Sequence, residues 1–129
     1  MSTSERVWSE LRDRYGDGLR SVIRYHPLEF EAHMRADLRP RYSETDIQAF
    51  VDEAILDQLA LESKIDDVDF GRFHGFVRIF DDVWLFIWPD RLDQKSGFIL
   101  TLQRDDPSLG LDAVEEIDDY LTEEVGPEL

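Results

Sequence analysis

Residues 70–88 read FGRFHGFVRIFDDVWLFIW, and this stretch decides the fold. It divides at Asp81-Asp82, a tight-turn pair, into a strand expected over Phe70–Phe80 and a returning strand over Val83–Trp88. Side chains alternate between the two faces along a strand. On the first strand Phe73, Val77 and Ile79 point one way, and Arg72, His74, Phe76, Arg78 and Phe80 the other. On the second, Val83, Leu85 and Ile87 oppose Trp84, Phe86 and Trp88. Both faces are therefore apolar, whereas a half-exposed strand alternates apolar with polar. Either helices cover both faces, or one face is an interaction surface. Trp84 and Trp88 read first as core, because aromatic-rich strands are most often buried.

Working outward, Pro89 to Ser96 is a polar loop, Gly97 to Gln103 is a further strand, and Asp105, Asp106 and Pro107 end the sheet. Ser108 or Asp112 is positioned to cap a last helix carrying Leu111, Val114, Ile117, Leu121 and Val125. On the other side, Ile65 to Asp69 reads as a connection. A long helix precedes it, from the capping-box start Ser43-Glu44-Thr45-Asp46 to about Leu61. Its stripe of Ile47, Phe50, Val51, Ala54, Ile55, Leu56, Leu59 and Leu61 is wider than contact with one surface needs, which predicts contact on two sides. Pro40 separates this helix from an expected hairpin: Leu19 to Tyr25, a turn at His26-Pro27, then Leu28 to Met34 in period two. A short helix from Pro27 is the competing reading of that last piece. The first helix begins at Ser4 as N-cap, aligns Val7, Trp8, Leu11 and Tyr15, and stops at Gly16. The result is a single α+β domain over 1–129. Its central five-stranded, mostly antiparallel sheet carries three helices in the order α-β-β-α-β-β-β-α.

Charge sets the habitat. The chain carries 30 acidic residues against 14 basic ones, net −16 in 129 residues. Arg outnumbers Lys twelve to two, the two being Lys64 and Lys95. An acidic, Lys-poor chain with a full aromatic complement suits a cytoplasm rich in KCl, where salt screens self-repulsion within a few ångströms. Disorder is excluded by 3 Trp, 4 Tyr and 8 Phe. Direct nucleic-acid binding is not expected, since no Lys/Arg cluster is present to neutralise phosphates; an acidic coat mimicking nucleic acid is a minor alternative. With no Cys there is no disulfide, thiolate metal site or thiol nucleophile. The first residues lack an apolar signal core, and VWLFIWP is too short to span a bilayer. A cytoplasmic protein without membrane contact is expected.

Chemistry is sparse in the pattern. His33 shares a strand face with Glu29 and Glu31, a set able in principle to hold a divalent ion, but no HxH or HExxH spacing supports it and a solvated polar face is preferred. His74 beside Arg72 and Arg78 reads as a partly packed sheet residue, and His26 as a turn residue. The pairs Asp66-Asp67, Asp81-Asp82, Asp105-Asp106 and Asp118-Asp119 fall at turns or on a helix surface, and adjacent residues of an extended segment point apart. Gly16-x-Gly18 follows a helix, the wrong context for a dinucleotide loop, and no serine-nucleophile elbow occurs. No cofactor or metal site and no enzymatic activity are expected.

Three segments carry a resemblance. They are Leu19-Arg20-Ser21-Val22-Ile23-Arg24-Tyr25 through Met34-Arg35-Ala36-Asp37-Leu38, then Arg41-Tyr42-Ser43-Glu44, then Val77-Arg78-Ile79-Phe80-Asp81-Asp82. Over 17–125 the chain resembles the uncharacterised small acidic domain family of halophilic archaea, through apolar pattern and turn placement. The element order is also similar to the roadblock (dynein light-chain 7) fold, of the profilin-like kind. That likeness implies a homodimeric scaffold near small GTPases or signalling partners, and it carries over no functional residue.

The expected function is a non-enzymatic regulatory or protein-interaction module, homodimeric and with a further, unidentified protein partner. The residues singled out for the interface are Phe50, Ile55, Phe76, Phe80, Trp84 and Trp88. The alternative is a small-molecule-sensing domain whose apolar pocket is lined by Tyr25, His74, Arg78 and Trp84. The charge reading makes a direct prediction. The melting temperature falls as KCl is removed, because unscreened carboxylates then repel; equal melting temperatures in low and high KCl, followed by circular dichroism, would overturn it.

Overall fold

The computed structural model describes residues 1–65, 69–91 and 93–129. Helix α1 (Thr3–Tyr15) leads into the hairpin β1 (Leu19–His26) and β2 (Glu29–Met34). Helix α2 (Glu44–Ile65) follows, then β3 (Phe76–Ile79), β4 (Val83–Arg91), β5 (Ser96–Gln103) and helix α3 (Leu111–Tyr120). The five strands form one sheet in the order β2-β1-β5-β4-β3, every neighbouring pair antiparallel. The α+β class and the element order agree with the sequence reading.

Local chemistry sets the ends. Ser2, rather than Ser4, caps α1: its hydroxyl accepts from the Glu5 amide at 3.2 Å, while Ser4 is buried and bonds to His33 instead. Gly16 ends α1 at φ +57°, a left-handed conformation that favours glycine. Pro27-Leu28 is a two-residue turn, and Leu28 to Met34 is strand from Glu29 on, not helix. The capping box opens α2 as expected, with the Asp46 amide donating to Ser43 Oγ at 3.1 Å and the Ser43 amide to Asp46 Oδ2 at 2.9 Å. At α3 neither Ser108 nor Asp112 is the cap; Gly110 takes that position, and the Ser108 amide and hydroxyl turn back to Asp106. Beyond Tyr120 the chain continues in a wider turn over Leu121–Val125, which keeps Leu121 and Val125 in the core.

Two strand boundaries differ from expectation. The strand expected from Phe70 begins only at Phe76. Gly71 sits at φ +88°, and a Cβ at Gly75 would lie 2.4 Å from the Ile87 carbonyl oxygen, so the backbone there is packed too closely for a regular strand with side chains. Strand β4 in turn runs through Pro89 and Asp90 to Arg91, into the expected loop. Residues 66–68 of the connection expected at 65–69, and with them the pair Asp66-Asp67, lie outside the described residues.

The two apolar faces are both covered. Trp84, Phe86 and Trp88 join Val22, Phe98, Leu100 and Leu102 under α1 and α3, where Val7, Leu11, Ile117 and Tyr120 are buried. Ile87, Ile23, Tyr25 and Ile99 face the other way, against Ile47, Val51 and Ala54 of α2. Each such buried aliphatic or aromatic side chain contributes roughly 1.5–3 kcal/mol.

One ion pair is built into the α1/α3 face. Arg24 grips Asp90 two-pronged, Nη1 to Oδ1 at 2.9 Å and Nη2 to Oδ2 at 3.2 Å, and lies over the Phe98 ring at 5.0 Å. Ser96 Oγ donates to the same carboxylate at 2.8 Å. Burial works to raise the Asp90 pKa, but the hydrogen bonds from Arg24 and Ser96 and the Arg24 charge outweigh it and hold it below the ordinary carboxylate value. A carboxyl depressed on folding stabilises above its unfolded value, ~3.9, and that contribution is lost as pH falls through the folded value. Asp90→Ala strands the Arg24 charge and is expected to cost about 3–5 kcal/mol, whereas Arg24→Met with Asp90→Leu costs far less. Urea titrations check this, together with a smaller acid-side loss of stability in the double variant.

Candidate functional site

A single α-helix covers the α2 face, and it leaves a cleft of about 780 Å³ at the end of the sheet where β1 begins and β5 finishes. Ile23, Met34, Leu85 and Ile99 form its apolar floor, and Phe50 and Phe80 flank it. Its polar wall is made by Arg20, Ser21, Arg35, Thr101 and Gln103, with Arg41 beyond. Asp81, Asp82 and Asp105 also line it.

Strand pairing brings the polar wall together. The Ser21 and Thr101 hydroxyls bond across the β1–β5 pair. Gln103 Oε1 accepts from Arg20 Nη1 at 3.0 Å and from Arg35 Nη1 at 3.2 Å. Its Nε2 donates to Asp105 Oδ1 at 2.7 Å and to the Asp82 carbonyl at 3.3 Å, which fixes the amide's orientation. Arg35 is fully engaged: Nε and Nη2 hold the two Asp37 oxygens at 2.7 and 3.0 Å, and Nη1 donates to the Asp17 carbonyl at 2.7 Å. The hydrogen bonds from Arg35 depress the Asp37 pKa, and Asp37 in return raises that of Arg35.

The four residues expected to line one pocket are divided between the two faces. Tyr25 is buried under α2, its hydroxyl donating to Gln58 Oε1 at 2.6 Å; burial, with the nearby Asp90 charge, pushes the phenol far above its ordinary pKa. Arg78 lies on the same face and reaches Asp57 and Glu53 of α2. Trp84 is in the core under α1 and α3. His74 is on that side too, because residues before Phe76 do not follow strand alternation: its Nδ1 meets both oxygens of Asp118 at 2.9 Å. Trp88 Nε1 donates to the same carboxylate at 3.1 Å, so Asp118 is a half-buried tie rather than a solvated surface acid.

The expected interface residues divide similarly. Phe50 and Phe80 are exposed, Ile55 and Phe76 are half-buried against the α2-face core, and Trp84 and Trp88 are sealed inside and present nothing to a partner. His33 ties α1 to β2, Nε2 lying 3.1 Å from both Ser4 Oγ and Glu31 Oε1. Bonds from Ser2 and Ser4, with His33, hold the Glu31 carboxyl below its ordinary value. Among the described residues no helix is long and apolar enough to cross a membrane.

The sequence reading missed the cleft's polar wall and the Arg24–Asp90 pair. Both depend on register between strands far apart in the chain, which composition and spacing do not encode.

Comparison with known families adds one match. A family model described as a domain of unknown function (DUF7522) covers residues 5–124, so the chain belongs to that family. No curated protein matches the chain.

The Tyr25–Gln58 contact is testable. Gln58 is buried, and its Nε2 has no partner among the described residues, so the amide is already half-satisfied. Tyr25→Phe removes its remaining bond and is expected to cost about 1–3 kcal/mol in chemical denaturation. Tyr25→Phe with Gln58→Met is expected to recover most of that loss.

Proposed function

We propose that this member of the DUF7522 family is a non-enzymatic regulatory or protein-interaction module of a halophilic archaeon, acting in the cytoplasm as a homodimer. The observation that supports it is where exposed apolar surface collects. Phe50, Leu56 and Leu59 of α2 are 38, 65 and 41 % exposed, and at the open edge of the sheet Ile79 and Phe80 are 59 and 51 % exposed. The opposite edge strand, β2, presents Glu29 and Glu31 outward, a common defence against strand addition. The edge at β3 carries no such acid; Arg78, its one charged residue, is held by Glu53 and Asp57. A second copy adding antiparallel at β3 buries Ile79 and Phe80 of both chains, and a two-fold axis there is self-complementary. High salt favours this contact between two chains of net −16. The acidic, Arg-dominated composition supports the halophilic setting, and the element order's likeness to the roadblock fold is in keeping with a scaffold role.

The alternative reading, a small-molecule-sensing domain, is favoured by the cleft on the α2 face.

Light scattering in high KCl tests the dimer. The expected mass is twice the 15.2 kDa of one chain. Ile79→Lys and Phe80→Glu are expected to give folded monomers. A wild-type protein that stays monomeric at all concentrations would overturn the homodimer.

A further inference from the structure

The geometry points to a binding site for an apolar monocarboxylate in the α2-face cleft, with the Arg20 guanidinium as its anchor.

The backbone aims Arg20 there by a bulge. Leu19 pairs with Leu102 and Ser21 with Thr101, so Arg20 is an extra residue in β1. Leu19 packs under α1 and α3, yet Arg20 and Ser21, adjacent in sequence, both line the cleft. Bulges commonly re-aim a side chain beside a functional site.

Among the described residues Arg20 has no carboxylate in direct contact, and Asp37 acts on it only through space. The residue is 8 % exposed, and its hydrogen bond is to a neutral group, the Gln103 amide oxygen. Among the described residues no carboxylate stands within 4.0 Å of it, in a chain with 30 acidic residues against 14 basic. A guanidinium without an anion in contact keeps donors open to one from solution. The neighbouring Arg35 shows what a satisfied guanidinium looks like here, with Asp37, Asp17 and Gln103 around it. Arg24, the other inward Arg of β1, has Asp90. Only Nη1 of Arg20 is engaged among the described residues, which leaves the Nε–Nη2 side as a fork matched to a carboxylate.

The surroundings select the ligand. The Ser21 and Thr101 hydroxyls stand on the same wall, and Ile23, Leu85 and Ile99 supply an apolar floor for the body. Asp81, Asp82 and Asp105 also line the cleft and oppose a second negative charge, which disfavours nucleotides and polyphosphates. A volume of about 780 Å³ accommodates a small organic acid. The inference rests on the sensing alternative; its anchor, Arg20, lies away from the β3 edge, whereas Phe80 is shared between that edge and the flank of the cleft.

Calorimetric titration with 4-phenylbutyrate and octanoate tests it, in KCl sufficient to keep the protein folded. Saturable binding of at least one acid is expected. The matching alcohols and inorganic phosphate are expected to bind about tenfold or more weakly. Arg20→Met is expected to lose the acid by a similar factor while its circular dichroism spectrum stays that of the folded protein. Arg20→Lys keeps a charge but lacks the fork, and weaker binding is expected there too. No binding of either acid, equal binding of alcohol or phosphate, or undiminished binding by both variants would each overturn the assignment.

Discussion

A sheet that is apolar on both faces must be covered on both, and with three helices the cover cannot be equal. Five strands about 4.8 Å apart make a surface roughly 19 Å wide, and a helix with its side chains is about 10 Å across. Two helices, α1 and α3, therefore span one face, and the lone α2 spans about half of the other. The cores reflect this: among the described residues, fifteen buried ones gather on the first face and nine on the second. What α2 leaves uncovered becomes the cleft, with Phe50 and Phe80 at its flanks. The candidate site is thus the remainder of a packing problem.

The acidic excess makes each inward-facing cation informative. Arg24 lies beside Asp90 and Ser96, Arg35 beside Asp37, and Arg78 beside Glu53 and Asp57. Carboxylates are plentiful, so finding one near an Arg requires only a suitable position. Arg20 is held instead by Gln103, an amide that is itself held by Asp105 and the Asp82 carbonyl. The interior charges are organised by strand register, whereas most of the surface charge serves solvation.

The fold was legible because apolar periodicity and turn residues are local. Asp81-Asp82 marked a real turn, Ser43 and Asp46 formed the expected box, and the alternation through Val83–Trp88 separated the two faces correctly. Alternation failed at Phe70–Gly75, where Gly71 and Gly75 allow the chain to leave strand geometry; those two glycines were the available signal. His74 was misplaced for the same reason and faces Asp118. The wide stripe of α2 implied two contacts, but the far side, with Leu56 and Leu59, stays exposed. The grouping of Arg78 with Trp84 ignored their register: Arg78 pairs with Leu85 and Ile79 with Trp84, which puts Arg78 and Trp84 on opposite faces. The bulge at Arg20 left no local trace, because one extra residue in a strand is visible only against its partner.

Distribution of the aromatic residues also makes the two layers optically distinct. All three tryptophans, Trp8, Trp84 and Trp88, belong to the layer under α1 and α3. The α2 layer holds Tyr25 and Tyr42 and no tryptophan, the other two tyrosines, Tyr15 and Tyr120, lying with the indoles. Indole emission therefore reports one half of the molecule. A loosening of α2 over the cleft would pass nearly unseen in a tryptophan-monitored melt and register in helical dichroism, so that the two signals of one unlabelled protein, taken together, distinguish its closed face from its open one.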